Sequence, residues 1–367
     1  MNILCFLPDF DAGGAQRTVI NLANAFAAVD ENVLLCAART DGQAREWVAP
    51  GVRTFDLGAR RTRYALAALA RLLQSRRPDV LFASMIDANI IAWAASRLVN
   101  RQKVRLVLRE TNSHVARGDL GWLRRKLIGH AYRNADRVVA LSSGVAQEIT
   151  SLYHLDPSRV MTIPNPVMVS DIAARVTAAK TEPSPVPGQG PFVLAVGRLT
   201  RQKGLDRLIE AFAQLSDQRV RLVIAGEGEE RSALTQLAER LGVSGRVTFA
   251  GYVPQTERWL AHAAVFVLPS RWEGFGHVIV EAMASGVPVV AYDCPYGPRD
   301  ILQSEVNGIL VREGDIAGLV AALRRVLEQP EFAESLRQRA RIDATRYAQP
   351  DIAQSYLTLF KQVVAAP

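Results

Sequence analysis

Residues Ala264-Val265-Phe266-Val267-Leu268-Pro269-Ser270-Arg271-Trp272-Glu273-Gly274-Phe275-Gly276-His277-Val278-Ile279-Val280-Glu281-Ala282-Met283 read as three pieces in a row. The apolar β-branched run at 264–268 is a buried strand. Gly274 and Gly276 punctuate a turn, and the apolar stretch after it is a helix that stops at Ser285-Gly286-Val287-Pro288, glycine then proline. Strand, glycine turn and helix form the repeating half-unit of a parallel α/β sheet. The free N–H groups at such a helix start attract anions, with the helix dipole adding ~0.3–1 kcal/mol. Glu273 before the turn and Glu281 inside the helix flank that point, an arrangement suited to a charged, hydroxyl-rich ligand.

The same alternation runs in both directions from this segment. Upstream in the second half, strands are expected at 192–196, 220–225, 247–249 and 265–268, with another at 287–291 and helices between, including 205–215. In the first half, strands at 1–7, 32–37, 80–83, 104–108 and 137–141 alternate with helices at 17–29, 63–74, 86–99 and 122–134. Ala12-Gly13-Gly14-Ala15-Gln16 is the glycine turn into the first of these helices. Short β-branched runs alternating with helices predict an α/β fold of two doubly wound, Rossmann-like domains. The boundaries read as 1–170 for an N-terminal domain, 171–190 for a proline-rich linker around Thr181-Glu182-Pro183-Ser184-Pro185-Val186-Pro187-Gly188-Gln189-Gly190, and 191–349 for a C-terminal domain. A final helix at 350–367 follows Gln349-Pro350 and is expected to pack back on the first domain.

A chain of 367 residues with 49% hydrophobic content has enough apolar material for two cores. Mean hydropathy of +0.05 and 22% charged residues fit a water-soluble protein. The start at Met1-Asn2-Ile3-Leu4-Cys5-Phe6 lacks a basic leader, and the most apolar stretch, 80–98, carries Asp87 and Asn89. A cytoplasmic location, with peripheral attachment at the inner face of the plasma membrane, is the expectation. Cys5, Cys36 and Cys294 have no metal-type spacing and read as small hydrophobes in a reducing compartment. The net charge of +8 is concentrated in the first half, at Arg53, Arg60, Arg61, Arg63, Arg71, Arg76 and Arg77 and again at Arg101, Lys103, Arg105, Arg109, Arg117, Arg124, Arg125, Lys126, Arg133 and Arg137. Such asymmetry implies an anionic partner: acidic lipid, nucleic acid or a diphosphate.

Gly197-Arg198-Leu199-Thr200-Arg201-Gln202-Lys203-Gly204 follows the first strand of the second domain. Arg198 and Lys203, five apart across a turn at a strand carboxyl end, can converge on a diphosphate, each charge-assisted bond contributing ~1.5–3 kcal/mol. Gly226-Glu227-Gly228-Glu229-Glu230-Arg231 lacks the third glycine of a dinucleotide fingerprint and reads as a tight turn. Asp9-Phe10-Asp11 supplies too few oxygen ligands for a metal, and no metal site is expected. In the helix at 122–134, Leu123, Leu127 and Ile128 share one face with basic residues around the rest, the pattern either of a membrane-surface helix or of an ordinary helix packed on its sheet. Of the five histidines, His114 and His277 are placed to see a ligand.

Taken together, Gly13-Gly14, Ile163-Pro164-Asn165-Pro166, Val196-Gly197-Arg198 through Lys203-Gly204, Ala225-Gly226-Glu227-Gly228 and the E-x7-E pair Glu273 and Glu281 resemble glycosyltransferase family 4. The resemblance covers nearly the whole chain and implies the GT-B fold: two Rossmann-like domains facing across a cleft, the first binding acceptor and the second a nucleotide-sugar donor. It implies a retaining, metal-independent hexosyltransferase with no cofactor. Arg198 and Lys203 would hold the donor diphosphate, and Glu273 would contact the transferred sugar. Glu281 would take the ribose hydroxyls, and the segment Gly274, Phe275, Gly276, His277 and Val278 would cradle sugar and phosphate. Gly14 would let the opposite domain approach the donor, with Gly13 and His114 as acceptor or sugar contacts. Cys294-Pro295-Tyr296-Gly297-Pro298-Arg299-Asp300-Ile301 followed by Asn307-Gly308 is similar to members that build bacterial surface glycans. That similarity favours UDP over GDP and a glycan or polyprenyl-diphosphate-linked acceptor, with an anionic membrane surface as partner.

Two other readings compete. A sugar-nucleotide epimerase of the same fold would convert a UDP-sugar with no acceptor present. A nucleic-acid-binding protein would account for the arginines but not for two glutamates around a phosphate-accepting turn, and no nucleic-acid recognition motif is visible, so no nucleic-acid partner is expected. The two carboxylates alone would also fit a hydrolase; the turn, the helix start and the Arg198/Lys203 pair favour donor positioning.

Overall fold

The computed structural model describes residues 1–11, 13–99, 104–118, 120–186, 188 and 190–366. Ala12 of the glycine turn, Arg101 and Lys103 with the side chain of Arg117 from the basic cluster, Pro187 and Gln189 of the connector, and Pro367 lie outside the described residues. The chain divides into two compact units: Met1–Pro166 with Gln349–Pro367, and Val167–Ala348.

The first unit is built on seven strands, β1 Asn2–Asp9, β2 Asn32–Arg39, β3 Arg53–Asp56, β4 Val80–Ser84, β5 Arg105–Glu110, β6 Arg137–Ala140 and β7 Val160–Thr162. They lie in the order β3-β2-β1-β4-β5-β6-β7, and every pairing is parallel. The second unit has six strands, β8 Phe192–Val196, β9 Arg221–Ala225, β10 Val247–Gly251, β11 Val265–Leu268, β12 Val289–Asp293 and β13 Ile309–Arg312. Their order is β10-β9-β8-β11-β12-β13, again all parallel. A parallel sheet is covered on both faces, which is why the central strands are unbroken apolar runs; all five residues of β4 are buried.

Both orders put the first strand of the unit in the middle and reverse direction beside it. The carboxyl ends of β1 and β4 in one unit, and of β8 and β11 in the other, therefore border the topological switch point, where the departing chain segments diverge and leave a crevice. The segments read from sequence as Gly13-Gly14, 197–204 and 269–276 all sit at such carboxyl ends.

Three edge strands escape the sequence pattern. All four residues of β3 are exposed, β7 has only three residues and none is fully buried, and β13 is four residues long. The helix Ser143–Tyr153 also goes unread.

The connector begins later than expected. Residues 171–179 are not linker: Val169–Ala179 is a helix that buries Ile172, Val176 and Ala179 and packs on the helices His277–Ser285 and Glu257–Leu260. The spacing of those three apolar residues supplies one helical stripe, so the segment belongs to the second unit and the first ends at Pro166 rather than at 170.

The terminal helix Gln349–Ala365 packs on Gly14–Ala27 in the first unit. Tyr356 and Phe360 sit 5.4 and 5.6 Å from the Phe82 ring, centroid to centroid, and both also contact Phe26. Burying each such ring contributes ~1.5–3 kcal/mol.

Candidate active site

In the second unit, the loops that leave β8 and β11 are tied together. The amide of Arg271 donates to the Gln202 carbonyl at 2.8 Å, and Gln202 Nε2 donates to the Trp272 carbonyl at 2.9 Å. Arg271 also grips Asp206 with both terminal nitrogens, at 2.8 and 2.6 Å. Burial by itself would raise the Asp206 carboxyl; the paired guanidinium outweighs it and holds the group below the usual carboxylate range. Gly204, at φ +61°, lies so close to the strand that a Cβ there would stand 2.1 Å from the Pro269 carbonyl oxygen. Only a glycine lets the two loops meet.

The contact they create is the centre of the site. Lys203 Nζ stands 2.5 Å from Glu273 Oε1, and Ser270 Oγ donates to the same oxygen at 2.7 Å. The Glu273 side chain is 8% exposed and that of Lys203 is 18% exposed, so the pair is mostly withdrawn from water. The lysine stem passes over Gly197, where a Cβ would come within 3.3 Å of Cε. Arg198, from the same loop, is exposed, and its guanidinium makes no hydrogen bond or ion pair among the described residues. The turn Gly226-Glu227-Gly228 supports this loop from below: Leu199 donates to the Glu227 carbonyl at 2.8 Å and Glu230 to the Leu199 carbonyl at 3.0 Å.

The helix His277–Ser285 starts beside Glu273 with Gly276 as its N-cap, and it has no capping side chain and no acidic residue in its first turn. Its first turn therefore contributes no carboxylate of its own to the positive end. Gly274 and Phe275 are buried beneath it, and His277, Val278 and Glu281 are half-buried at its surface. From the far side, the Glu273 amide donates to the Pro295 carbonyl at 3.3 Å, and the Phe275 ring packs on Tyr347 at 5.5 Å. The unit thus presents a lysine–carboxylate pair, an exposed arginine and an open helix start along the carboxyl ends of adjacent strands. Such an array can accept the charge that develops on a departing phosphate.

In the first unit, Gly13 is the N-cap of Gly14–Ala27, which also lacks a capping side chain and first-turn acid. Among the described residues, a Cβ on Gly14 would meet no heavy atom within 4 Å. The acidic pair beside it is used structurally: Asp9 accepts from Gln16 Nε2 at 2.8 Å, and Asp11 pairs with Arg39 at 3.1 Å. No cluster of three or more His, Cys, Asp or Glu suited to a metal occurs among the described residues.

His114 does not present itself to a ligand. Its side chain is 0% exposed, with Nδ1 2.6 Å from the Tyr153 hydroxyl and Nε2 2.8 Å from Glu110 Oε2. The Tyr132 hydroxyl donates to the same Glu110 oxygen, and the amides of Thr111 and Asn112 donate to the other. Burial would raise the Glu110 carboxyl, but His114 and these donors hold it below its ordinary value. Both ring nitrogens are committed, which makes His114 the centre of a buried polar network rather than an acceptor contact. Sequence reasoning also passed over Ser270, Gln202 and the Arg271–Asp206 clamp. Only the last had a visible signal, an isolated cation beside Glu273; its partner lies 65 positions away.

Two family models together cover most of the chain: "Glycosyltransferase Family 4" matches residues 12–171 and "Glycosyl transferases group 1" matches residues 177–343. The lipopolysaccharide core biosynthesis glycosyltransferase LpsE of Rhizobium meliloti is 30% identical over 355 residues, 95% of each chain. A Campylobacter jejuni enzyme, named as an N-acetylgalactosaminyltransferase acting on a diphospho-undecaprenol-linked sugar, is 25% identical over 76% of this chain and 75% of its own length. Among solved structures, HepE of Anabaena in complex with UDP superposes with a TM-score of 0.81 at 22% identity, covering 99% of this chain and 100% of its own. A glycosyltransferase from Rickettsia africae superposes with a TM-score of 0.84 at 14% identity, covering 100% and 99%. These likenesses show the GT-B fold. With a full-length relative at 30% identity and the two family models in tandem, the chain belongs to the family 4, group 1 glycosyltransferases and is a glycosyltransferase.

Proposed function

We propose that this enzyme moves a hexose or N-acetylhexosamine, with retention, from a UDP-sugar to a glycan or polyprenyl-diphosphate-linked acceptor of a bacterial surface glycan. The observation that carries the reading is the Lys203–Glu273 pair set beside an uncapped helix start at the switch point of the second unit. The relatives' names support the substrate class: LpsE is named for lipopolysaccharide core biosynthesis, the Campylobacter enzyme acts on a diphospho-undecaprenol-linked sugar, and HepE is held in complex with UDP.

In this mechanism Lys203 and Arg198 bind the donor diphosphate, and the amides at the start of His277–Ser285 face its oxygens. As the bond between the anomeric carbon and the diphosphate oxygen breaks, these groups take up the charge on the departing UDP. Glu281 accepts hydrogen bonds from the ribose hydroxyls, and Glu273 accepts from the sugar hydroxyls while fixing Lys203. The acceptor hydroxyl attacks from the face that the diphosphate leaves, passing its proton to the leaving oxygen, so no enzymic nucleophile is required. With two cations on the diphosphate, the reading needs no metal ion. Gly14 is assigned to the open space needed on the acceptor-binding unit.

A thermal-shift panel of UDP, GDP, ADP and UDP-sugars tests the donor. A ligand at a hundred times its dissociation constant should stabilise by ~2.7 kcal/mol. UDP should do so, and Glu281→Ala should weaken UDP by about tenfold or more while leaving inorganic diphosphate unaffected, since one charge-assisted bond contributes ~1.5–3 kcal/mol. Stabilisation by GDP alone would overturn the uridine assignment, and an inverted anomeric product would overturn retention.

A further inference from the structure

The segment 294–301 and Asn307 make no donor contact in the reading above, yet they close around the turn that does. Gly297, at φ +85°, stands so near that turn that a Cβ on it would lie 2.4 Å from the Phe275 carbonyl oxygen. Pro295 takes the Glu273 amide on its carbonyl at 3.3 Å. The backbone of the donor turn is thus backed by this segment. Its aromatic side chain is backed from elsewhere: the buried Phe275 ring meets the Tyr347 ring edge-on, with centroids 5.5 Å apart at 65°, and meets the His277 ring at 5.5 Å and 81°.

Tyr347 is itself held in place. It is buried in the turn Thr345–Tyr347, which ends the helix Pro330–Ala344. Its hydroxyl donates at 3.2 Å to the carbonyl of Asp300, in the short helix Pro298–Ile301. One turn earlier, buried Asp343 accepts from Asn307 Nδ2 at 2.9 Å. Asn307 also donates to the Ile301 carbonyl at 3.3 Å and accepts the Gln303 amide at 2.7 Å. A side-chain amide suits this place because both a donor and an acceptor are used. The end of the long helix and the segment behind the donor turn are therefore one hydrogen-bonded piece.

Tyr347 also stands at the boundary of the unit. The chain enters the second unit at Val167 and leaves it after Ala348. The Val167 amide donates to the Tyr347 carbonyl at 2.8 Å, and Val167 pairs with Ala348 in an isolated parallel bridge. One residue thus touches the donor turn with its ring and the entering chain with its carbonyl.

We propose that Tyr347 is a positioning residue for the donor. Through the Phe275 ring it sets the turn 274–277 at the helix start, and through its carbonyl it ties donor occupancy to the segment by which the chain enters the unit. The proposal rests on the donor reading above. An edge-on ring against Phe275 restricts the conformations of the turn, so its N–H groups are aimed before the donor arrives and less ordering is left to binding. Coupling of this kind is reciprocal: a donor that fixes the turn also fixes Tyr347 and its bond to Val167.

The full chain is titrated with UDP by calorimetry and followed separately by hydrogen exchange. Tyr347→Leu and Tyr347→Met both remove the ring edge, the second keeping more of its reach, and each should weaken UDP about three- to tenfold. Tyr347→Phe keeps the ring and should bind within about twofold of the parent. Phe275→Leu should weaken UDP to a similar degree, and adding Tyr347→Leu to it should weaken binding no further, since the two rings act as one pair. Val326→Ala truncates a buried side chain in the helix Ile316–Glu328, outside these contacts. It should lower stability and leave UDP affinity unchanged, which is also what a merely structural Tyr347 would show. Without ligand, Tyr347→Leu should speed exchange of amides 274–279, and UDP should slow the Val167 amide in the parent but not in Tyr347→Leu. Parent-like UDP affinity in both Tyr347→Leu and Tyr347→Met, additive losses in the double variant, a Tyr347→Phe variant as weak as Tyr347→Leu, or unchanged ligand-free exchange in the turn would each overturn the proposal. A parent that binds GDP in place of UDP overturns only the uridine assignment, and the same variants are then read with GDP. A parent that binds no nucleoside diphosphate overturns the donor reading and this proposal with it.

Discussion

Replacing Lys203 by methionine isolates the ion pair at the centre of the site, because the methionine keeps the stem that lies over Gly197 and removes only the charge. Glu273, 8% exposed, would then retain, among the described residues, a single side-chain partner, the Ser270 hydroxyl at 2.7 Å. Stranding one member of a buried pair costs ~3–5 kcal/mol, and the partial exposure of Lys203 places this case near ~3. For a unit of this size each kcal/mol moves the melting temperature by ~2–4 °C, so a drop of about 9 °C is expected in the transition of Val167–Ala348 by scanning calorimetry without ligand. The double variant Lys203→Met/Glu273→Gln leaves no uncompensated charge and should regain most of the loss, with a coupling energy of ~2 kcal/mol, while sugar transfer stays abolished. A single variant melting within about 2 °C of the parent, or a double variant no more stable than the single, would refute the claim that the two side chains form a coupled, water-poor pair.

Two glycines should respond in opposite ways. Gly204→Ala sets a Cβ against the Pro269 carbonyl at a left-handed φ of +61° and should destabilise the second unit by ~3 kcal/mol or more, read by calorimetry. Gly14→Ala meets no heavy atom within 4 Å among the described residues and adds a good helix former, so stability should hold or rise by ~0.5–1 kcal/mol, while on the role proposed for Gly14 transfer activity should fall. Acid should loosen the Arg271–Asp206 clamp. Because the folded-state pKa of Asp206 is depressed, its stabilisation is present above the unfolded value near ~4 and is lost as pH falls through the folded one. The stability gap between the parent and Asp206→Asn, about 1 kcal/mol at neutral pH for a partly exposed pair, should therefore close below about pH 4 in urea titrations; a gap that widens on acidification would contradict the clamp.

Much of the architecture was legible locally. Central strands of a parallel sheet are buried on both sides, so β1, β4, β8 and β11 appear as apolar runs, and the turns after β1, β8 and β11 are marked by glycine. Edge strands carry no such mark: Arg53–Asp56 is strand only because β2 offers it hydrogen bonds. The helix Val169–Ala179 was hidden by the proline-rich stretch that follows it, although Ile172, Val176 and Ala179 already had helical spacing.

At the site, the places of Arg198, Lys203 and Glu273 in the loops that leave β8 and β11, and of Glu281 in the helix that follows, are legible from sequence alone, because turn residues and apolar periodicity act over a few positions. Which of them touch is not. Lys203 and Glu273 lie 70 positions apart, and they meet because β8 and β11 are neighbours in the sheet and Gly204 permits the approach. The fate of His114 was likewise decided by tertiary packing: Tyr132, Tyr153 and Glu110 close over it, and an imidazole with both nitrogens engaged in the core has no contact left to offer. The split of Trp122–Asn134 into a buried inner stripe and an exposed tip was settled the same way, since a helical pattern shows which residues share a face but only the sheet beneath shows how far that face is covered.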